Sequence, residues 1–199
     1  MAPKTSEQFE EIRRKSRQKI EEVALELFAK QGFHNTSISQ IAKAATVSKG
    51  LLYNYYNSKK DLLDTIIHNA VDEGEEAIEQ FLASDLSPLQ KISAITEGSI
   101  QMVQADPHHW RLMTALAFQE DIMQNLKEKI QLKKDEMLAQ VSKIFSDMGF
   151  GDPEKEAYFY GALLDGIMVH YITLGDAYPL EAMKEYILNK YKNISNEKA

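Results

Sequence analysis

Residues 36–56 read TSISQIAKAATVSKGLLYNYY, and this stretch decides the fold. Ser37 is followed three residues later by Gln40, and this capping-box spacing predicts the start of a short helix. The turn at residues 46–48 ends that helix, and its final serine is a good N-cap for another helix over residues 49–56. Two short helices joined by a three-residue turn are typical of a helix-turn-helix, whose second helix enters the major groove of DNA.

Helical patterns continue on both sides of this stretch. An apolar stripe with helical spacing precedes it and predicts a helix that ends at Gly32. Further along, Ser87-Pro88 and Asp152-Pro153 each supply an N-cap and a first-turn proline, which predict the starts of two more helices. No strand pattern occurs. The sequence therefore predicts an all-α chain of about nine helices, near residues 13–31, 37–45, 49–56, 58–81, 88–103, 110–118, 121–149, 153–175 and 179–192.

Charge is distributed unevenly along the chain. The whole sequence of 199 residues has a net charge of −7. Residues 1–60 hold 11 basic and 6 acidic side chains, a net charge of +5, whereas residues 61–199 have a net charge of −12. A short basic segment on a long acidic one indicates a nucleic-acid-binding part attached to a body of another kind. Chance clustering on a solvated face is the alternative.

The composition excludes several classes of protein. The chain has no cysteine, its apolar runs are far shorter than the ~20 residues of a membrane span, and no apolar signal segment opens it. These features predict a cytoplasmic protein without disulfides. No glycine-rich phosphate loop, nucleophile elbow or paired-carboxylate motif points to an enzyme. His108, His109 and His170 lack the spacing of a metal site, so neither a metal nor a cofactor is expected.

A series of short motifs runs through the helix-turn-helix region. They are Gly32-Phe33, Thr36-Ser37-Ile38, Ile41-Ala42, Ala45, Val47-Ser48-Lys49-Gly50, Leu52-Tyr53, Tyr55-Tyr56, Ser58-Lys59 and Asp61-Leu62. Over about residues 14–65 the chain resembles the N-terminal signature of the TetR/AcrR family of one-component transcriptional regulators. The remainder resembles the family only in length and in its succession of helices.

The resemblance implies two domains and a function. It places a three-helix, helix-turn-helix DNA-binding domain at residues 1–60 and a helical ligand-sensing and dimerisation domain at residues 61–199. It implies a sequence-specific DNA-binding transcriptional regulator, namely a repressor that a small, largely apolar ligand releases from a palindromic operator. The alternative is a helical protein–protein adaptor without specific DNA binding.

Base contacts are expected from the start of the recognition helix, which lies closest to the base edges. Lys49 can donate to guanine O6 and N7, and Gly50 permits a close backbone approach. Leu51 offers only an apolar contact, for example to a thymine methyl group, where many relatives have threonine. We therefore expect a base preference that differs from theirs.

Phosphate contacts are expected around these residues. Tyr53 and Tyr55 carry hydroxyl groups that suit phosphate oxygens, and Lys59 adds a positive charge. Hydroxyl side chains at the N-terminus of the preceding helix favour an anion as well. The predicted DNA-binding set is Thr36, Ser37, Ser39, Ser48, Lys49, Gly50, Leu51, Tyr53, Tyr55 and Lys59.

Several of these positions also have a structural interpretation. Tyr53 can serve mainly in packing, and Ser37 and Ser48 are helix caps before they are phosphate ligands. Tyr56, where relatives usually have phenylalanine, is expected in the core. Thr46 occupies a turn position where the family commonly has glycine, and a β-branched residue disfavours positive φ. We therefore expect a strained or rearranged turn there.

The body is expected to form a homodimer and to bind a ligand. In relatives the last two helices pair with those of a second subunit, and the small residues Gly161, Ala162 and Gly166 in the eighth helix allow close approach. A dimer also suits DNA, because two recognition helices must reach half-sites about one turn apart. Aromatic and methionine side chains of the body can line an apolar ligand cavity or simply fill a core. The candidates are Met102, Trp110, Met113, Phe118, Met137, Tyr158, His170 and Tyr171.

Overall fold

The computed structural model describes the backbone of residues 5–198 and their side chains except at positions 73–78, 120–130 and 195–198. Residues 1–4 and 199, which the predicted domains include, lie outside this part of the chain. Within residues 5–198 there are nine α-helices and one turn of 3₁₀ helix, which confirms the all-α prediction. None of these helices, over the described residues, is long and apolar enough to cross a membrane. The helices are α1 (Ser6–Gln31), α2 (Ile38–Ala44), α3 (Lys49–Tyr55), α4 (Lys59–Leu82), α5 (Pro88–Ala105), α6 (Pro107–Ala117), α7 (Glu120–Asp147), α8 (Pro153–Leu174) and α9 (Leu180–Lys198), and the 3₁₀ turn is Gly175–Ala177.

Local side-chain caps begin several of the helices where the sequence predicts them. At α2 the Ser37 amide donates to Gln40 Oε1 at 2.7 Å and the Gln40 amide donates to Ser37 Oγ at 3.2 Å. Ser87 and Gln90 form the same reciprocal pair at the start of α5. Asp152 caps α8. Each cap satisfies amide groups that a helix leaves unpaired in its first turn.

The predicted start of α1 was wrong. The prediction followed an apolar stripe whose first buried residue is Ile20 and placed the helix from about residue 13, but α1 begins at Ser6. A second capping box sets this start, with the Thr5 amide donating to Gln8 Oε1 at 3.1 Å. Residues 6–15 are exposed throughout, so burial gives no sign of them. In the same way α9 extends beyond its predicted end to Lys198.

The chain forms two compact units. The first unit comprises Met1–Ala70 and Leu112–Gln124, and the second unit comprises Val71–Arg111 and Asn125–Ala199. The predicted boundary at residue 60 is a functional division and stays a prediction.

The core of the first unit is built by α1 to α4. Ile20 and Phe28 of α1, Ile41 of α2, Leu52 of α3 and Leu62 of α4 have no exposed surface. Burial of such a side chain contributes about 1.5–3 kcal/mol. Helices of seven residues are not stable in isolation, so α2 and α3 hold their shape and position through this core.

The core of the second unit is built by α5, α7, α8 and α9 around an aromatic cluster. The ring centroid of Phe145 lies 5.7 Å from that of Tyr160 and 5.3 Å from that of Tyr191. The hydroxyl of Tyr160 is buried, hydrogen-bonds the Thr96 hydroxyl at 2.7 Å and donates to the Ile92 carbonyl at 3.2 Å. Burial raises the pKa of Tyr160 above its usual value. The hydroxyl groups of Tyr160 and Thr96 are thus paired, as buried polar atoms usually are.

Candidate nucleic-acid interface

The turn between α2 and α3 contains a left-handed residue. Thr46 has φ 61°, and no other non-glycine residue in the described part of the chain has a positive φ. Its amide donates to the Lys43 carbonyl at 3.2 Å, and the Val47 amide donates to the Ala42 carbonyl at 2.9 Å. This pair of bonds is the Schellman motif, which usually has glycine at the left-handed position. Of the two expected outcomes, a strained or a rearranged turn, the structure shows the first, because the glycine-type turn is kept with threonine at a positive φ.

The open face of α3 carries three residues that were predicted to contact DNA, two of them at bases and Tyr53 at phosphate. Lys49, Gly50 and Tyr53 lie exposed on it, Tyr53 with 53% of its surface accessible. Asn54 shares this face, being four residues after Gly50, although the sequence-based prediction omitted it. On the opposite side Leu52 is fully buried. The helix is thus anchored on one side and available to a partner on the other.

The remaining α3 residues flank this face. Leu51 and Tyr55 are half-buried, so each offers only part of its side chain to a partner. Ser48 is exposed, and its Oγ accepts a hydrogen bond from the Leu51 amide at 3.0 Å as the N-cap of α3. Ser37 caps α2 in the same way, while Ser39 is exposed in the first turn of α2. Both caps agree with the structural interpretation of these serines.

Thr36 differs from the other hydroxyl residues because its side chain points inward. It is only 1% exposed. Its Oγ1 donates to the Gly32 carbonyl at 2.9 Å and accepts from Gln31 Nε2 at 3.1 Å. In this geometry the hydroxyl supports the loop between α1 and α2 and is not accessible to a phosphate.

The Lys59 side chain is also turned toward the protein. Its Nζ donates to the carbonyls of Phe33 at 2.6 Å and Thr36 at 2.7 Å, with the His34 carbonyl 3.4 Å away. The same Nζ lies 4.3 Å from the ring centroid of Phe33. Burial lowers the pKa of Lys59 below its usual value. The structure therefore places this charge against the loop, and the predicted phosphate contact of Lys59 would require it to leave these partners.

A hydrogen-bonded group on α1 holds the end of the recognition helix. Tyr56, the C-cap of α3, is buried as predicted, and its hydroxyl donates to Glu21 Oε1 at 2.5 Å. Asn69 of α4 donates to the other oxygen of Glu21 at 3.0 Å. Burial is the main cause that raises the pKa of Tyr56, and the hydrogen bond to the Glu21 carboxylate raises this pKa further. One carboxylate thus connects α1, α3 and α4, a role that short-range sequence patterns did not reveal.

The predicted ligand-binding residues are spread over both units. Met113 and Phe118 belong to the first unit, and the other six belong to the second. Phe118 is 82% exposed and Tyr158 is 58% exposed, and His170 is exposed with its ring 5.4 Å from that of Tyr178. The others are half-buried, namely Met102, Trp110, Met113, Met137 and Tyr171.

Two grooves in the described part of the chain are lined by other residues. A groove of about 320 Å³ in the second unit is lined by ends of α4, α5 and α7, among them Leu86, Lys91 and Lys143. A groove of about 340 Å³ in the first unit is lined by charged residues of α1, among them Arg13 and Arg17. Among the described side chains, no group of three or more His, Cys, Asp or Glu residues is arranged to hold a metal ion.

The first unit matches a family of known proteins. The model of "Bacterial regulatory proteins, tetR family" matches residues 20–66, which run from the middle of α1 into α4. The HTH-type transcriptional regulator LuxR of Vibrio harveyi is 30% identical over 94 residues, which are 47% of this chain and 46% of that protein. The chain spans about half the length of the curated relatives it matches.

Similar folds extend over nearly the whole chain. The transcriptional regulator FadR from Bacillus subtilis, solved in complex with stearoyl-CoA, superposes with a TM-score of 0.69 at 21% identity, over 87% of this chain and 96% of that one. AibR, solved in complex with isovaleryl coenzyme A and operator DNA, superposes with a TM-score of 0.67 at 19% identity, over 88% and 97%. Residues 20–66, the helix-turn-helix region, match the tetR family of bacterial regulatory proteins, and the fold of nearly the whole chain is similar to those of solved transcriptional regulators.

Proposed function

We propose that this chain is a sequence-specific DNA-binding transcription regulator that acts in the cytoplasm as a homodimer. The exposed face of α3 carries the proposal, because it presents Lys49, Tyr53 and Asn54 beside Gly50 on a helix anchored by its other side. Amine, hydroxyl and amide groups of this kind hydrogen-bond to base edges and phosphates. The family consists of regulatory proteins, which agrees with the prediction that the chain is not an enzyme.

Gly50 supports a close approach of DNA to α3. A Cβ added at this position would find only Ser48 Oγ, at 3.8 Å, and the residue does not have a positive φ. Neither packing nor backbone conformation in the free chain therefore requires glycine here. Glycine in the middle of a helix costs about 0.5–1 kcal/mol relative to alanine, and this figure is an upper limit for Gly50, the second residue of α3. A partner that needs the space above residue 50 accounts for this cost.

The proposed dimer forms through α8 and α9. Tyr158, Ala162, Gly166 and Val169 form an exposed stripe along α8 at helical spacing, which we call the α8 stripe. A Cβ added to Gly166 would meet no atom within 4 Å, so packing within the chain does not require a glycine there. On α9, Tyr186 is 68% exposed. An apolar stripe with small residues suits close packing against the same stripe of a second copy about a two-fold axis.

The proposed effector is a small molecule with a large apolar part. FadR and AibR, which share the fold, were solved with stearoyl-CoA and isovaleryl coenzyme A. Acyl-CoA thioesters are therefore the first candidates, and we infer repression that is relieved when the ligand binds. The predicted residues that are half-buried in the second unit, Met102, Trp110, Met137 and Tyr171, stay the proposed lining of its site. An effect of 5–150-fold on operator affinity requires a coupling free energy of about 1–3 kcal/mol.

A selection of bound fragments from a genomic DNA library tests DNA binding. The purified chain and the Lys134→Ala variant are expected to enrich the same palindromic site, whereas the Lys49→Ala/Tyr53→Ala double variant is not. Lys134 is an exposed lysine of the second unit, so its removal controls for a simple loss of charge. Each neutralised phosphate should contribute about −0.9 to the log–log slope of affinity against salt. No enrichment by any form, together with no salt dependence, would favour the adaptor instead.

The effector is tested on the selected site. Stearoyl-CoA and isovaleryl-CoA are titrated separately against a labelled operator bound by the wild-type chain, and at least one is expected to release the DNA. Calorimetric titration of free and operator-bound protein then measures the linkage directly. Equal affinity of the ligand for both forms would refute ligand-controlled release, because such a ligand cannot shift the binding equilibrium.

A further inference from the structure

The loop between α1 and α2, residues 32–37, meets a single ammonium group from the start of α4. An ammonium group has three N–H donors. The Lys59 ammonium directs them at the carbonyls of Phe33, His34 and Thr36, two of them within 2.7 Å, and its Nζ also lies over the Phe33 ring. Lys59 itself is only partly exposed. Its hydrogen-bonding capacity is thus used by one short loop, which we call the α1–α2 loop.

The two shorter hydrogen bonds of Lys59, to the Phe33 and Thr36 carbonyls, are partly buried. The loop lies outside the helices, and among the described residues the Phe33 carbonyl also receives the Thr36 amide at 3.3 Å. Hydrogen bonds to a charged group contribute about 1.5–3 kcal/mol, and a buried acceptor left without a partner costs a comparable amount. A Lys59 side chain that turned outward to a phosphate would therefore give up more than one strong interaction in exchange for another.

The loop controls where α2 begins, and α2 supports the recognition helix. Thr36, whose carbonyl accepts from Lys59, directly precedes Ser37, the N-cap of α2. α2 then leads through the Schellman turn into α3. The ammonium therefore connects the first residue of α4 with the entry into the helix-turn-helix, over a sequence separation of 23 residues.

We propose that Lys59 is a positioning residue of the DNA-binding unit, which holds the α1–α2 loop and hence α2 and α3 in place, and that it does not contact phosphate. The proposal rests on the DNA-binding function proposed above. Lys60, the next residue, is a natural comparison because it carries the same charge but is 55% exposed and pairs with Asp64 at 2.9 Å. The two lysines thus separate loss of charge from loss of the loop contacts.

Operator binding of four proteins at several salt concentrations tests the proposal: the wild type, Lys59→Met, Lys59→Arg and Lys60→Met. Lys59→Met is expected to weaken binding about tenfold or more at every salt concentration, with an unchanged log–log slope. A phosphate contact would instead reduce the magnitude of the slope by about 0.9. Lys59→Arg is expected to weaken binding as well, because a planar guanidinium cannot direct donors at three convergent carbonyls, although it is an excellent phosphate ligand. Affinity close to that of the wild type in Lys59→Arg would overturn the proposal.

Amide hydrogen exchange provides a measurement that does not need DNA. Exchange of the α2 amides is expected to accelerate in both Lys59 variants but not in Lys60→Met, with unchanged circular dichroism confirming that the variants are folded. Unchanged exchange in Lys59→Arg, whose charge is retained, would contradict the positioning role. If the wild type binds no DNA, the proposed function fails, and the exchange experiment still decides whether Lys59 orders the loop.

Discussion

Replacement of Thr46 by glycine is expected to stabilise the protein, although it removes atoms. The left-handed conformation costs an L-residue about 1–2 kcal/mol, and a β-branched side chain belongs at the upper end of that range. Thr46 is exposed, so its side chain contributes little packing in return. Glycine removes this cost and adds about 0.5–1 kcal/mol of backbone entropy to the unfolded chain. The expected net gain is about 1 kcal/mol, or roughly 2–4 °C in Tm for a chain of this length.

Urea unfolding followed by circular dichroism measures this gain. Ala45→Gly is the matched control, because Ala45 has φ −76° and is 6% exposed, so glycine there brings only the entropic cost and a lost methyl contact. Thr46→Gly should raise the free energy of unfolding while Ala45→Gly lowers it. Equal or lower stability of Thr46→Gly would refute the reasoning, because it would mean that the turn carries no strain. Operator affinity should be retained, since the same turn conformation is kept.

Three further outcomes follow from particular contacts. Gln119→Ala should lower the free energy of unfolding by about 1 kcal/mol, because it removes the half-buried hydrogen bond from Gln119 to the Phe28 carbonyl. Gln140 is exposed, so Gln140→Ala should leave the free energy of unfolding unchanged. Equal urea midpoints for the two variants would contradict this prediction. Tyr186→Arg should raise the dissociation constant of the proposed dimer more than ~100-fold, because an unpaired buried charge costs about 3 kcal/mol or more. Sedimentation equilibrium measures this constant, and a wild-type value for the variant would place the interface elsewhere. Burial raises the pKa of Tyr160, so the protonated hydroxyl favours the folded state. This contribution to stability is complete at pH values below the unfolded-state pKa of about 10 and is lost as the pH rises above it. The urea midpoint should therefore fall as the pH rises above about 10, and it should fall less in Tyr160→Phe.

Helix order was predictable from the sequence because its signals are local. The capping boxes at Ser37 and Ser87 and the cap at Asp152 each involve residues three apart, and each begins a helix in the structure. The start of α1 was missed although Thr5 and Gln8 have the same spacing, because an exposed helical extension carries no apolar stripe. A cap is thus a better indicator of a helix start than burial is when the first turns face solvent.

The site was predictable only where function depends on a helix face. Lys49 and Tyr53 are exposed on one side of α3 because Leu52 is buried on the other, and that alternation can be read within a few residues. The orientations of Thr36 and Lys59 depend on partners brought close by folding, the latter across more than 20 residues. A hydroxyl or ammonium beside a helix start therefore looks like a phosphate ligand until its internal acceptors are known.

The first unit does not end with the helix-turn-helix. α6 begins in the second unit, where Arg111 Nε donates to the Ile172 carbonyl in the last turn of α8 at 3.0 Å. The chain after α6 belongs to the first unit, where Gln119 Nε2 donates to the Phe28 carbonyl in the last turn of α1 at 2.9 Å. Gln119 Oε1 also accepts a hydrogen bond from the Phe33 amide of the α1–α2 loop at 3.4 Å. The α1–α2 loop is therefore held from two directions, by Lys59 at the start of α4 and by Gln119 after α6.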